Sequence, residues 1–349
     1  MPLDRSDPSE NFGENSGEVP GDIPADPAPS EKPSPKPAVR ELNAYNPRLG
    51  IGLKVASALI FTGMVAMVKI LDGRYPVGEL IFARSFFGMI PVLVMVAWQG
   101  QLAVAFTTRR PWGHVSRAIV GGSAMAMWFG ALARLPLPDA TAISFSAPLI
   151  TVALAALILR EKVRAYRWSA VIVGFFGILI ILSPHLGGAV LSDEATEGAM
   201  LAFAAAVFMA LAMITVRRLT STERTSTIVV WFAAVTSLFA LMTAPFGWVV
   251  PDTGDAVMLV LIGLLGGVGQ ILLTQSYRYA DASTIAPFEY TTMIWTVIVG
   301  WLVFSEVPSG EVVLGAVIVI GAGVFVIYRE RQLGLDRSKE RRTVTPSKV

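Results

Sequence analysis

Residues 133–182 read ARLPLPDATAISFSAPLITVALAALILREKVRAYRWSAVIVGFFGILIIL, and this stretch shows most clearly how the chain is built. It begins with a short polar turn at Asp139 and crosses an apolar run that contains Pro148. Charges around Glu161 then separate it from a second apolar run. Each run approaches the roughly 20 apolar residues that a helix needs to cross the hydrocarbon of a bilayer. The stretch therefore predicts two consecutive membrane helices joined by a charged loop.

The same order of features returns in residues 277–328, YRYADASTIAPFEYTTMIWTVIVGWLVFSEVPSGEVVLGAVIVIGAGVFVIY. An acidic residue, a proline and a lone glutamate again follow one another, here as Asp281, Pro287 and Glu306. The motif Arg-x-x-x-x-Asp-Ala-Thr-x-Ile of the first stretch corresponds to Arg-x-x-Asp-Ala-Ser-x-Ile in the second. Such internal similarity indicates that one half of the chain is a diverged copy of the other.

The composition is that of an integral membrane protein. Of 349 residues, 54% are hydrophobic and 15% are charged, whereas an ordinary soluble domain has about 25% charged residues. The net charge of +2 gives no indication of nucleic acid as a partner. The absence of cysteine excludes disulfides, thiolate metal sites and cysteine catalysis, and His114 and His185 lie near segment ends without forming a metal cluster. We therefore predict no metal, no cofactor and no catalytic residue.

Ten windows are long and apolar enough for membrane helices. They are residues 51–71, 78–98, 112–133, 140–159, 168–182, 198–216, 227–249, 256–276, 284–304 and 312–328. The predicted fold class is thus all-α integral membrane, with ten transmembrane helices arranged as two inverted five-helix repeats. The predicted domains are two repeats at 49–183 and 196–328. A disordered tail at 1–48, rich in Pro, Glu, Asp and Ser, precedes them, and a basic tail at 329–349 follows them.

Basic residues are distributed unequally between alternate loops. One set of loops contains Arg109, Arg110, Arg160, Lys162, Arg164, Arg167, Arg217, Arg218, Arg224 and Arg278, and the other contains Arg74 and Arg134. By the positive-inside rule the first set is cytoplasmic, and so are both termini. Because each half has five spans, the second copy enters the membrane upside down relative to the first. Such inverted repeats are the symmetry that alternating access requires.

Charged residues inside the spans mark the candidate site, because an ionised side chain at the bilayer centre is costly unless it is paired or faces a cavity. Lys54 is predicted to extend its charge to the nearby interface. Two alternatives stay open for Lys69. Its side chain either extends its charge to the interface, as predicted for Lys54, or faces a cavity. Arg84 is predicted to face the centre, and Arg117 to pair with Glu289 across a cavity. That pair would either lock a gate or contact substrate or a proton, and an apolar setting would suit Glu289 as a proton carrier.

Amide and aromatic side chains within the spans extend this candidate list. Gln270 and Gln275 would bond either a ligand or a neighbouring helix. Trp128, Tyr290 and Trp295 lie within spans rather than at their ends, and either line a cavity or serve apolar packing.

Prolines and glycines add a second kind of signal. Pro148 and Pro287 interrupt the fourth and ninth predicted spans in equivalent places, which is the sequence indication of a central site in transporters with inverted repeats. The glycine clusters of the third and eighth spans are expected to allow close approach of helices. These glycines are Gly121, Gly122, Gly130, Gly263, Gly266, Gly267 and Gly269.

With ten spans in two halves, and the twin patterns DATAISFSAPLITVALAALILREKV and DASTIAPFEYTTMIWTVIVGWLVFSEV, the chain resembles the drug/metabolite transporter superfamily, specifically its EamA-type ten-helix group. The resemblance covers residues 51–328. Glu161 and Glu306 match the glutamate of the family's repeat pattern, which implies a structural role, whereas Ser305 stands where a glycine is usual. The resemblance implies carriage of a small organic solute across an inner membrane, by export or by uptake.

A secondary carrier is therefore the predicted function. The chain has neither a G-x-x-x-x-G-K-[ST] phosphate loop nor an H-E-x-x-H motif, so ATP hydrolysis and zinc proteolysis are not indicated. The remote alternatives are an intramembrane enzyme and a sensor or scaffold, and the latter does not require the charges within the spans. The predicted partners are the bilayer and a carboxylate-bearing or amino-acid-like solute, with an amphipathic compound or cofactor precursor as the second choice. Whether transport is coupled to protons or proceeds by exchange stays open, and so does whether the protein is a monomer or a homodimer.

Overall fold

The computed structural model describes residues 46–71, 73–100, 102–158, 164–186, 194–220, 222–280 and 282–343. Nearly all of the predicted N-terminal tail lies outside these residues, as do Glu161 and Asp281. The predicted C-terminal tail is helical as far as Thr343, because the last helix continues past Tyr328.

The described residues form α-helices and short 3-10 turns, and no strand occurs among them. The helices are α1 (Pro47–Ile70), α2 (Val77–Trp98), α3 (Leu102–Ala105), α4 (Pro111–Leu132), α5 (Leu137–Ser144), α6 (Ser146–Ile158), α7 (Ala165–Leu186), α8 (Glu194–Leu219), α9 (Thr225–Leu241), α10 (Thr253–Tyr279), α11 (Ala282–Ile285), α12 (Thr291–Phe304) and α13 (Gly310–Thr343). The 3-10 turns are Ala244–Phe246 and Ala286–Tyr290.

Ten segments of the described chain fit the predicted membrane spans. Nine helical segments are long and apolar enough to cross a membrane, and the shorter apolar helix Ser226–Leu241 supplies the tenth. The fourth segment, Leu137–Ile158, combines α5 and α6, and the ninth, Ala286–Phe304, combines a 3-10 turn with α12. The prediction of an all-α membrane protein with ten spans is confirmed.

Local sequence signals fix where several helices begin. The Asn46 side chain accepts a hydrogen bond from the Leu49 amide at 3.2 Å, and Pro47 follows it at the first helical position. Asp252 caps α10 in the same way, accepting from the Asp255 amide at 2.8 Å. These caps satisfy amide groups that the first turn of a helix leaves without partners.

Helices of the first half pack mainly against helices of the second. Helix α1 runs along α10, α4 along α8, α2 along both α9 and α10, and α7 along α13. At the crossing of α2 and α10 the backbones touch, since a Cβ atom on Gly267 would overlap the carbonyl oxygen of Gly88. Small residues allow this approach in membrane bundles. The two halves therefore form one interleaved bundle.

The two ends of the bundle are named here by the course of α1. The proximal end is where α1 begins, together with α4 and α9, and where α2 and α10 finish. The distal end is where α1 finishes, together with α4 and α12, and where α2, α5 and α10 begin.

Candidate functional site

The fourth and ninth spans are both interrupted, and the two interruptions touch each other. Helix α5 stops at Ser144, and α6 begins at Ser146 with Pro148 in its first turn. In the second half a 3-10 turn containing Pro287 separates α11 from α12. The rings of Phe145 and Tyr290, one from each interruption, meet edge to face with centroids 5.2 Å apart. Proline and the 3-10 turn free backbone groups at the centre of the bundle.

Glu289 lies on that 3-10 turn and pairs with Lys54 of α1. Two predictions are wrong here: Lys54 does not extend to the interface, and Glu289 does not pair with Arg117. The Lys54 side chain is 4% exposed, whereas that of Glu289 is 54% exposed. The physical reason is packing, because the 3-10 turn rests on α1. The pair therefore couples the second interruption to the first helix.

Arg117 of α4 has no acidic partner among the described residues. Its guanidinium group lies over the ring of Phe232 on α9, 4.1 Å from the centroid. This is the geometry of a cation–π contact. Its Nε and Nη1 atoms are buried and have no hydrogen-bond partner. Gly121 makes room for the group, since a Cβ atom there would overlap Nη1 and lie 2.8 Å from Phe232.

Arg84 of α2 is the second interior arginine. Its side chain lies beside Gly266 of α10, where a Cβ atom would approach the Arg84 Cγ to 3.6 Å. Helix α2 contacts α4, which carries Arg117, so the two like charges act on each other across this contact. Neither a hydrogen bond nor an ion pair of Arg84 occurs within the described part of the chain. The interior thus brings together two guanidinium groups with no counter-charge from those residues.

The distal end carries a different arrangement, centred on Glu306. One oxygen of this carboxylate lies 2.6 Å from Lys69 Nζ, and the other accepts from the Leu137 amide at 2.7 Å. Lys69 also donates to the Leu135 carbonyl at 2.5 Å and lies 5.3 Å from the centre of the Phe304 ring. Both side chains are largely buried, 13% and 19% exposed. Lys69 therefore joins α1 to α5 and α12 rather than extending to the interface.

Further polar contacts tie the distal end together. Arg74 lies 3.0 Å from Asp255, and the Tyr75 hydroxyl donates to the same carboxylate at 2.9 Å. Burial and the neighbouring Asp255 carboxylate raise the pKa of Tyr75. The more exposed pair of Arg134 and Glu197 lies at 3.1 Å. These contacts connect loops of the first half to α8 and α10 of the second.

The remaining candidates lie elsewhere. Gln270 and Gln275 line a cavity of about 280 Å³ between α2, α9 and α10 at the proximal end, and Gln275 Nε2 lies 3.8 Å from Met95 Sδ. Trp128 packs against the apolar core. The indole Nε1 of Trp295 is buried without a hydrogen-bond partner among the described residues. Nor does the described chain contain a group of three or more His, Asp or Glu residues able to hold a metal ion.

The sequence missed Lys54 as a member of the site and the link between Lys69 and Glu306. A signal for each was present, namely a lone lysine within an apolar run and the lone glutamate that follows the ninth span. What the pattern lacked was the identity of the helices that meet.

Two ranges of the chain, residues 48–183 and 196–329, match the model of the EamA-like transporter family. The chain belongs to this family. The match covers both interrupted spans and the glutamates that follow them, and it confirms the resemblance inferred from the twin patterns. The protein is accordingly a multi-pass membrane protein that transports a small metabolite, and the prediction that it is not an enzyme is confirmed.

Individual relatives of this EamA-like transporter carry different names. An S-adenosylmethionine uptake transporter of Rickettsia bellii is 31% identical over 285 residues, 81% of this chain and 95% of that one. A riboflavin transporter of Rhizobium johnstonii is 32% identical over 227 residues, 65% of this chain and 73% of that one. A pseudopaline exporter of Pseudomonas aeruginosa is 29% identical over 275 residues, 78% and 94% of the two chains.

A crystal structure gives an independent comparison of the fold. It is 18% identical to this chain and superposes with a TM-score of 0.59, over 81% of this chain and 98% of the other. At this identity the likeness concerns the fold alone.

Proposed function

We propose that this EamA-like transporter is a secondary carrier that moves a carboxylate-bearing, amino-acid-like metabolite across the inner membrane by alternating access. The observation that carries the proposal is the pair of interior arginines, Arg84 and Arg117. Both guanidinium groups lack an acidic partner among the described residues, and two nitrogens of Arg117 are buried without a hydrogen bond.

Energetics favours an anionic solute at this place. A charged side chain inside a bilayer is costly unless a counter-charge or water reaches it. Two guanidinium groups in the same interior raise that cost, since like charges repel each other. Guanidinium matches a carboxylate in shape and can bind it through two parallel hydrogen bonds. A solute carboxylate would therefore supply the charge that the protein interior lacks.

The arrangement of the two ends supports alternating access. The distal end is joined by the buried Lys69–Glu306 pair, and the interrupted spans contact each other through Phe145 and Tyr290. Inverted halves can exchange conformations, so a closure made at one end can be replaced by a closure at the other. The distribution of basic residues supports placing the proximal end, and both termini, in the cytoplasm.

For coupling we propose Glu289, either as a proton carrier or as part of an exchange mechanism. In the structure this carboxylate already pairs with Lys54, so proton binding would accompany separation of that pair. Replacing Glu289 with Gln should abolish transport driven by a pH gradient while leaving membrane insertion intact. Full pH-driven transport in the variant would exclude the proton-carrier role.

The proposal is tested with purified protein in liposomes. The solutes are an amino acid, its carboxamide analogue, S-adenosylmethionine and riboflavin, each supplied as a labelled compound. Wild-type protein should take up the carboxylate-bearing compounds, and Arg84→Gln or Arg117→Gln should reduce that uptake at least tenfold. Arg110→Gln, in the loop before α4, is the matched control and should retain it.

The carboxamide decides the substrate class. If it is transported as well as its carboxylate parent, the arginines do not select a carboxylate and the proposed class is wrong. Metabolite profiling of cells with and without the protein then identifies the solute without presupposing one.

An amphipathic cofactor precursor is the second candidate. The relatives named riboflavin transporters favour it, as does the buried Trp295 indole, which has no hydrogen-bond partner in the described chain. Uptake of riboflavin that survives Arg84→Gln but is lost in Trp295→Phe would favour this candidate over the first.

A further inference from the structure

The cavity between α2, α9 and α10 is separate from the interior arginines, and none of Arg84, Arg117 or Glu289 lines it. It lies where α9, which packs mainly against α2 and α4, stands apart from α10. Helix α9 therefore leaves this face of α10 uncovered.

Helices α2 and α10 form the other walls. They touch where Gly88 meets Gly263, since a Cβ atom on Gly88 would lie 3.0 Å from the Gly263 carbonyl oxygen. Beyond Pro91 of α2, toward the proximal end, their facing side chains enclose a cavity of about 280 Å³. The cavity thus opens in the half of the bundle closest to the proximal interface.

The lining of this cavity is graded along the bundle axis. Gln99, Arg224 and Gln275 lie toward the proximal end, where α2 and α10 finish and α9 begins. Val92, Gln270 and Ile271 lie deeper. A cationic and amide-bearing rim above a mainly apolar floor is complementary to a molecule with an anionic head and a hydrocarbon tail.

Polar groups of the lining are incompletely satisfied by the described residues. The Gln270 amide, in the middle of α10, makes no side-chain hydrogen bond with them, and Gln275 reaches only the weakly accepting sulfur of Met95 at 3.8 Å. Arg224 forms no ion pair with that part of the chain, and it is the residue that precedes the first turn of α9, with its side chain exposed. Amide groups without partners are costly at membrane depth.

We propose that this cavity binds one acidic phospholipid, with its phosphate at Arg224, its polar head along Gln99 and Gln275, and an acyl chain over Val92 and Ile271. Basic pockets between membrane helices are suited to acidic head groups. The phosphate lies at the interface because Arg224 does. A lipid at this place fills the gap beside α9 and holds α9 against α10. This site is distinct from the solute site and does not depend on the solute.

The test is native mass spectrometry of the purified, delipidated full-length protein. The probes are phosphatidylglycerol, phosphatidylethanolamine and soluble glycerol phosphate, each added alone. Phosphatidylglycerol should bind with one tight copy, and Arg224→Gln should weaken that copy at least tenfold. Arg48→Gln, another exposed arginine at the proximal end, is the matched control and should bind like the wild type.

Gln275→Leu gives a second variant that keeps the charge but removes an amide beside the polar head, and it should weaken the same copy about threefold. Equal affinity of Arg224→Gln and wild type for phosphatidylglycerol would overturn the proposal. Equal binding of phosphatidylethanolamine would overturn the selection of an acidic head. Binding of glycerol phosphate as tight as that of the lipid would assign the site to a soluble phosphate compound instead.

Discussion

The two ends of the bundle hold their charges differently. At the distal end Lys69 and Glu306 are both largely buried, and each makes a second hydrogen bond to the backbone next to α5. At the proximal end Lys54 is buried while its partner Glu289 is about half exposed. A pair that is buried on both sides resists separation, whereas a pair with one solvated partner separates at lower cost. The distal pair is therefore expected to separate less easily than the proximal pair.

The largest effect is expected from Lys69→Met. It leaves the Glu306 carboxylate charged, buried and without its cation, and the free energy of unfolding should fall by about 3 kcal/mol. Thermal unfolding in detergent measures the change. Arg134→Gln is the control at the same end, because the Arg134–Glu197 pair is 33% and 53% exposed and should contribute less than about 1 kcal/mol. Equal shifts for the two variants would contradict the conclusion that the Lys69–Glu306 pair stabilises the distal end.

The effect of the Lys69–Glu306 pair on the distal end can also be measured by the accessibility of a thiol to a labelling reagent. The chain has no cysteine, so Met125→Cys introduces a single thiol on α4, beyond Arg117 toward the distal end. Labelling by an impermeant maleimide from the distal side should increase when Glu306→Gln is added. Glu311→Gln, near the start of α13, should leave the labelling unchanged. Labelling that stays equal in all three proteins would show that Glu306 does not close this end.

The proximal pair should respond asymmetrically to loss of either partner. Glu289→Gln leaves the buried Lys54 ammonium without a counter-charge and should cost about 2 kcal/mol. Lys54→Met leaves Glu289 half exposed and able to bind water, so it should cost less than about 1 kcal/mol. Thermal unfolding of the two single variants gives the comparison. The opposite order would mean that Glu289, not Lys54, is the member held in the protein interior.

A smaller effect is expected at Gly121. Alanine there would displace the Arg117 guanidinium group from Phe232, and uptake should fall about tenfold, which corresponds to about 1.4 kcal/mol. The neighbouring Gly122→Ala is the control, because its Cβ atom would meet only Thr236 at 3.7 Å. Liposome uptake measures both. If the two variants transport equally, the position of Arg117 over Phe232 does not matter for transport.

The smallest effect is expected at the second interruption. A Cβ atom on Gly323 would overlap the Tyr290 hydroxyl, whereas one on Gly321 would meet nothing within 4 Å. Gly323→Ala should move Tyr290 against Phe145 and reduce uptake about threefold, less than 1 kcal/mol. Gly321→Ala should transport like the wild type. A loss of uptake confined to Gly321→Ala would place the sensitive contact elsewhere on α13.

Prediction from the sequence succeeded where the signal is local or repeated. Apolar length predicted the spans, and the twin patterns predicted the two halves and the family. Pro148 and Pro287 marked segments that the structure shows interrupted. The pairing of charged residues was less predictable, because the depth of a residue along its helix does not indicate which other helix that residue faces. Glu289 was expected to meet Arg117 because their depths agree, yet it meets Lys54.

Hydrophobic length and internal repetition are properties of the chain alone, so they predicted an all-helical membrane protein built from two copies of one five-helix unit, and the resemblance of the twin patterns predicted a transporter. The packed helices were needed to show which charges pair, which arginines stay without acidic partners in the described chain, and where a cavity opens beside α9. The reason is that these features depend on which helix faces meet. The meeting of these faces is determined by contacts between residues far apart in the sequence. Examples are the contact of Gly88 with Gly267 and the packing of the 3-10 turn on α1.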